Sequence, residues 1–216
     1  MSLKKLALTL AMAGLVSAGT AHANTILTFG QSSGSNTITG TQAAGTTTIT
    51  GTNVGVVITQ IDAAVVTPLA AFLNLTMTSV APAVVTSGNV EQRYTGTFTI
   101  TSGSGGSGTN YLSGSFTDST FGAIGGAGLT VQAAQPPDAV SFTSGVISTL
   151  NVARNISLSL TNVTPFVNVA NGSIGSFTAS IGGNFSANNV VVPEPATLML
   201  LGTALAGLAI RRRRSA

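Results

Sequence analysis

The central part of this sequence predicts an all-β fold, an antiparallel β-sandwich or jelly roll, preceded by a signal-peptide helix and followed by a single transmembrane helix. Three observations lead there. Apolar and polar residues alternate with period two through most of the chain. Thr, Ser and 26 glycines supply the polarity, with only 6% charged residues, which suits neither a helical bundle nor a charged disordered tail. Each end carries an apolar run beside basic residues, a composition unlike the middle.

Residues 1–23 begin with Lys4 and Lys5, continue through an apolar stretch over 6–16, and finish in Ala21-His22-Ala23. This is the three-part layout of a secretory signal peptide, with Ala21 and Ala23 as the small residues read by signal peptidase and cleavage expected after Ala23. The run is too short, and too interrupted by Gly14 and Ser17, for a permanent span of ~20 residues.

Residues 24–191 form the predicted β domain, one domain with a sizeable core. Leu73, Leu75 and Met77 alternate with Asn74, Thr76 and Thr78. Tyr94, Phe98 and Ile100 alternate with Thr95, Thr97, Thr99 and Thr101. The pattern returns with Ile156, Leu158 and Leu160 against Ser157, Ser159 and Thr161, and with Phe177, Ala179 and Ile181. Such runs, rich in Thr, Val and Ile, read as half-buried antiparallel strands. Gly- and Ser-rich stretches at 102–110 and 122–128 punctuate them as hairpin loops, and many short strands at such spacing point to a sandwich or jelly roll. Thr67-Pro68 before Leu69-Ala70-Ala71-Phe72 reads as a cap and first position of one helical turn.

Residues 192–216 are a different kind of segment. Pro193-Glu194-Pro195 denies the backbone two amide donors and biases Val192 and Glu194 toward extended geometry, as a protease substrate requires. Residues 196–210 follow as an apolar helix of about 22 Å, short of the ~30 Å of bilayer hydrocarbon. Arg211, Arg212, Arg213 and Arg214 resist translocation, which keeps this end cytoplasmic and the preceding domain outside the inner membrane. Together the motif, the short helix and the arginine cluster resemble the PEP-CTERM sorting domain. The resemblance is confined to 192–216 and is complemented by the signal peptide at the other end. It implies cleavage near Pro193, Glu194 and Pro195 by an exosortase, an integral-membrane cysteine protease, in a Gram-negative bacterium that makes exopolysaccharide.

Charge excludes one broad class. Six of the eight basic residues lie in the terminal segments, and in the middle Arg93 and Arg154 face Asp62, Glu91, Asp118 and Asp138, a net −2. No basic cluster is left to neutralise phosphates, so nucleic acid is not an expected partner. The only histidine, His22, and both lysines lie in the signal segment, and the chain has no cysteine. The mature domain therefore lacks the side chains for Ser-His-Asp, Cys-His or Ser-Lys chemistry, Schiff bases and thiolate or imidazole metal sites. The four carboxylates are scattered in sequence and read as isolated, solvated surface charges. Glu91-Gln92-Arg93 reads as a structural pairing across a strand edge. The Gly-rich stretch 103–108 lacks the Lys of a phosphate-binding loop.

The expectation is a non-enzymatic exported protein without cofactor, inserted in the inner membrane as a precursor and then displayed at the cell surface or in the extracellular matrix. Its expected partners are the secretion machinery and signal peptidase, the exosortase, the inner membrane transiently, and exopolysaccharide. The alternatives are a periplasm-facing binding domain that stays anchored in the inner membrane, or a carbohydrate-active enzyme built on two carboxylates.

Overall fold

The computed structural model describes residues 23–32, 37–62, 64–135, 137–148, 150 and 153–188, which form an antiparallel all-β domain. The expected signal-peptide and transmembrane helices lie outside these residues. Among the described residues there is one 3-10 turn, Ser104–Gly106, and no helix long and apolar enough to cross a membrane.

The described residues form thirteen strands in chain order: β1 (Ala23–Gln31), β2 (Ile38–Ala43), β3 (Thr46–Ile61), β4 (Ala64–Ser79), β5 (Val84–Thr86), β6 (Asn89–Thr101), β7 (Asn110–Ala123), β8 (Gly128–Ala134), β9 (Val140–Thr143), β10 (Arg154–Thr164), β11 (Val169–Ala170), β12 (Ser173–Ile174) and β13 (Phe177–Asn188). Eleven belong to one sheet, and β11 and β12 make a small hairpin of their own. The main sheet runs β6-β4-β3-β1-β13-β10-β8-β7, and β7 pairs back onto β6, so the hydrogen-bonded circuit closes. The expected division into two sheets is replaced by one closed sheet, because the long β6–β7 hairpin bonds across the seam from Asn89↔Ala123 to Thr101↔Asn110. Closure leaves far fewer unpaired strand edges than an open sheet would.

Eight positions around this circuit accommodate eleven strands because three positions are broken in two. β1 and β2 lie end to end along β3, β4 and β5 along β6, and β8 and β9 along β7. Two of the breaks contain prolines in sequence, Pro82 and the pair Pro136-Pro137, which cannot donate to a ladder.

Period two places the apolar set inside. Leu73, Leu75 and Met77, Ile156, Leu158 and Leu160, and Phe177, Ala179 and Ile181 are all buried, as their alternation predicts. Thr101 departs from its pattern and is buried, since the β6–β7 register shifts between Ile100 and Thr101 and turns it inward. Phe98 on β6 stacks on Phe185 of β13 with centroids 4.7 Å apart, although these strands lie on opposite walls of the circuit. Phe29 and Phe142 join the same aromatic cluster. The interior is thus filled and the barrel flattened, with walls that meet through side chains as the two halves of a sandwich do. The outside carries exposed Thr39, Thr41, Thr76, Thr95, Thr97, Ser157, Ser159 and Thr161. An outer-membrane barrel has the reverse arrangement, apolar outward.

The helical turn expected at Thr67-Pro68 is instead part of β4. Residues 66–68 fall where the β3–β4 register shifts between Ile58↔Leu69 and Gln60↔Val65. β6 pairs β4 only from Phe72 to Ser79, so Pro68 faces no ladder partner on that side. A bulge beside a free edge is where a strand tolerates proline, and the strand context overrides the local helix-start signal. The Gly-rich stretch 103–108 does form the β6–β7 loop, containing the 3-10 turn, and 122–128 makes the β7–β8 connection.

Candidate functional site

The outer face across β6, β7, β8 and β10 carries a shallow trough of about 520 Å³. Strand register sets out its floor. Arg93 is paired with Ser119, Ser119 with Gln132, and Gln132 with Ser157, so four polar side chains form one row across four strands. At the ~4.8 Å spacing of neighbouring strands the row spans about 14 Å. Phe121, two residues beyond Ser119 on the same face, is 42% exposed and lines both this trough and a second one of about 360 Å³ leading toward Val84 on β5. Pro137 and Asp138 form a wall. Asp138 accepts a hydrogen bond from the Ala134 amide at 3.1 Å and pairs with Arg93 at 3.4 Å. Arg93 is largely exposed, so the pair contributes under ~1 kcal/mol to stability, yet it cancels the charge at one end of the trough.

Behind this face, inside the barrel, lies a buried polar cluster. Gln92 Nε2 donates to the Ala81 carbonyl at 2.9 Å and to Ser173 Oγ at 2.6 Å, while its Oε1 accepts from the Ile174 amide at 2.9 Å and the Tyr94 hydroxyl at 3.1 Å. Ser173 and Thr47 share a hydrogen bond of 2.8 Å, and Thr47 also donates to the Ile174 carbonyl. These bonds tie the β11–β12 hairpin into one end of the barrel. Burial pushes the Tyr94 phenol above its ordinary range, while hydrogen bonding with Thr47 acts the other way and Asp118 adds to the rise.

Asp118 and Thr120 project into the same region from β7, opposite Tyr94 and Gln92. Both are fully buried, and neither the Asp118 carboxyl oxygens nor the Thr120 hydroxyl has a hydrogen-bond partner among the described residues. Burial, reinforced by Asp138 and opposed by Arg93, pushes the Asp118 carboxyl up to about 8. It is therefore largely a neutral acid at pH 7.

This corrects the expectation of four isolated, solvated carboxylates. Asp62 and Glu91 are exposed, but Asp118 is buried, and Asp118, Asp138 and Arg93 come close enough to influence one another. Of Glu91-Gln92-Arg93, expected to pair across a strand edge, Arg93 reaches Asp138 while Gln92 points inward. Arg154 holds main chain, donating to the Leu150 carbonyl at 2.8 Å and the Val140 carbonyl at 3.2 Å. Among the described residues no three His, Cys, Asp or Glu side chains are grouped to hold a metal ion. Ala23 is the first residue of β1, whereas Ala21, Pro193, Glu194, Pro195 and Arg211 to Arg214 lie outside the described residues. Neither the trough nor the buried cluster was singled out from sequence. The signal available was parity, since Gln92 stands two residues before Tyr94, and Asp118 and Thr120 two and four after Phe116, all on inward positions.

Comparison with known proteins adds one finding at the C-terminus: residues 191–214 match the PEP-CTERM protein-sorting motif. The motif implies an exported protein that an exosortase processes, directed to the cell envelope or surface. No curated protein and no solved structure matches the chain.

Proposed function

We propose that this chain is a surface or extracellular-matrix protein with a structural or adhesive, non-catalytic role beside exopolysaccharide. The observation that carries the reading is the sorting motif at 191–214. In this reading residues 1–23 are removed after export, residues 196–210 hold the precursor in the inner membrane with Arg211 to Arg214 on the cytoplasmic side, and exosortase cleavage near Pro193 to Pro195 frees the β domain.

The domain's chemistry supports a passive role. The chain's one histidine lies in the segment lost with the signal, and Asp118, the carboxylate most perturbed among the described residues, is enclosed away from any substrate. A hydroxyl-rich exterior of low charge suits contact with hydrated polymer and with like surfaces. Deleting the exosortase of the producing organism tests this. Full-length precursor accumulating in the inner membrane supports the reading, and unchanged processing and display contradict it.

A further inference from the structure

We infer that the trough over β6, β7, β8 and β10 is a binding site for a linear, neutral polysaccharide. The inference deepens the proposed association with matrix polymer by giving it a place and a chemical class, and it rests on that reading for the polymer's being at hand.

Carbohydrate recognition in water needs an exposed aromatic face for the sugar's C–H surface, planar amide or guanidinium groups for pairs of adjacent hydroxyls, and a support that holds them without further ordering. All three coincide here. Phe121 presents its ring between the two grooves, with nearly half its surface still in water. Gln132 lies in the row with Arg93, Ser119 and Ser157, and Asn155 stands one step further along β10 from Ser157. Every one of these residues is on a paired strand of the closed sheet, so little conformational entropy remains to be lost on binding.

Shape and charge narrow the class. The floor is an extended row of about 14 Å across strands, and it continues past Phe121 toward β5, which suits a chain rather than a compact solute. Arg93 is engaged by Asp138, and Glu91 stands beside Phe121 at the junction of the grooves. An acidic polymer would meet a charge already neutralised and then a carboxylate. A neutral one meets hydroxyls, amides and a ring.

The test uses the exported protein purified from its producing organism, run through native gels cast with hydroxyethylcellulose, with dextran, or with alginate. Hydroxyethylcellulose or dextran should retard it, and Phe121→Ala should weaken retardation by at least about tenfold, as should Gln132→Ala combined with Asn155→Ala. Because these side chains lie on the outer face, both variants should melt with the wild type, which separates lost binding from lost folding. Retardation by alginate alone, none by any polymer, or retardation indifferent to Phe121→Ala would overturn the site. A concentration-dependent dimer abolished by Phe121→Ala would assign the face to a second copy of the chain instead. Export and processing are scored separately in the exosortase deletion, so failure of the site and failure of the sorting account give different results.

Discussion

The Ile174 amide donates to Gln92 Oε1 at 2.9 Å, bringing together residues 82 positions apart and pinning the β11–β12 hairpin into the barrel end. Gln92 makes four hydrogen bonds while almost completely buried, using each donor and acceptor of its amide. Gln92→Ala strands the buried Ile174 amide, takes away the acceptor of the Tyr94 hydroxyl, which keeps only its interaction with Thr47, and removes the donor to the Ala81 carbonyl. A loss of about 2–4 kcal/mol follows from their desolvation, even though each intact bond is worth only about 1 kcal/mol net. Urea titration of the variant should show a lower midpoint with an unchanged slope; equal midpoints would mean the hairpin is held by other contacts.

Asp118 gives stability a pH dependence of known sign. Its folded value, about 8, lies above the ordinary carboxyl value of 3.8, so the folded chain keeps a proton that the unfolded chain has released. The stabilisation is fully present below the unfolded value and is lost as pH rises through the folded one. Melting temperature should therefore decline between about pH 4 and pH 8 and flatten above. Asp118→Asn, which stays neutral, should remove most of that slope. A variant with the wild-type slope would place the titrating group elsewhere.

Much of the barrel was legible in the chain, and the reason is geometric. Strands with a buried and a solvated face write their parity directly into sequence, as Leu73-Asn74-Leu75-Thr76-Met77 does. Closure was not legible, because nothing local to β6 or β7 tells that their hairpin also completes a circuit through β4 and β8. Pro68 misled through a sound local rule that a bulge and a free edge overrode. The buried polar cluster was hidden by composition: in a chain this rich in Thr and Ser, inward Thr47, Thr120 and Ser173 look like their solvated neighbours until pairing is known. The trough was equally hidden, since Arg93, Gln132 and Ser157 meet only through register across separate hairpins.

Gly114 marks a point where β7 and β9 approach too closely for any side chain. A Cβ there would stand 2.0 Å from the Ser141 carbonyl oxygen and 3.1 Å from the Phe98 and Phe142 rings. Backbone cannot yield as a flexible side chain does, so Gly114→Ala should cost about 1–3 kcal/mol and loosen β9 first. Hydrogen exchange of the residue 140–143 amides would report it. Protection equal to wild type would contradict the close approach.

Phe185 bridges the two walls of the flattened barrel through its stack on Phe98 and its edge contact with Phe142 at 5.8 Å. Phe185→Ala should cost about 3–5 kcal/mol by leaving a cavity among the Phe29, Phe98 and Phe142 rings. Phe185→Leu, keeping most of the volume, should cost clearly less. If both variants unfolded at the same denaturant concentration, the walls would not be meeting through this ring.

Exosortase processing is tested most directly by the intact mass of the protein recovered from the cell surface or medium of its producing organism. A chain beginning at Asn24 and lacking residues 198–216 is the expected result. Recovery of the native product with its apolar segment and arginines still attached would contradict exosortase processing and leave the domain an anchored membrane protein.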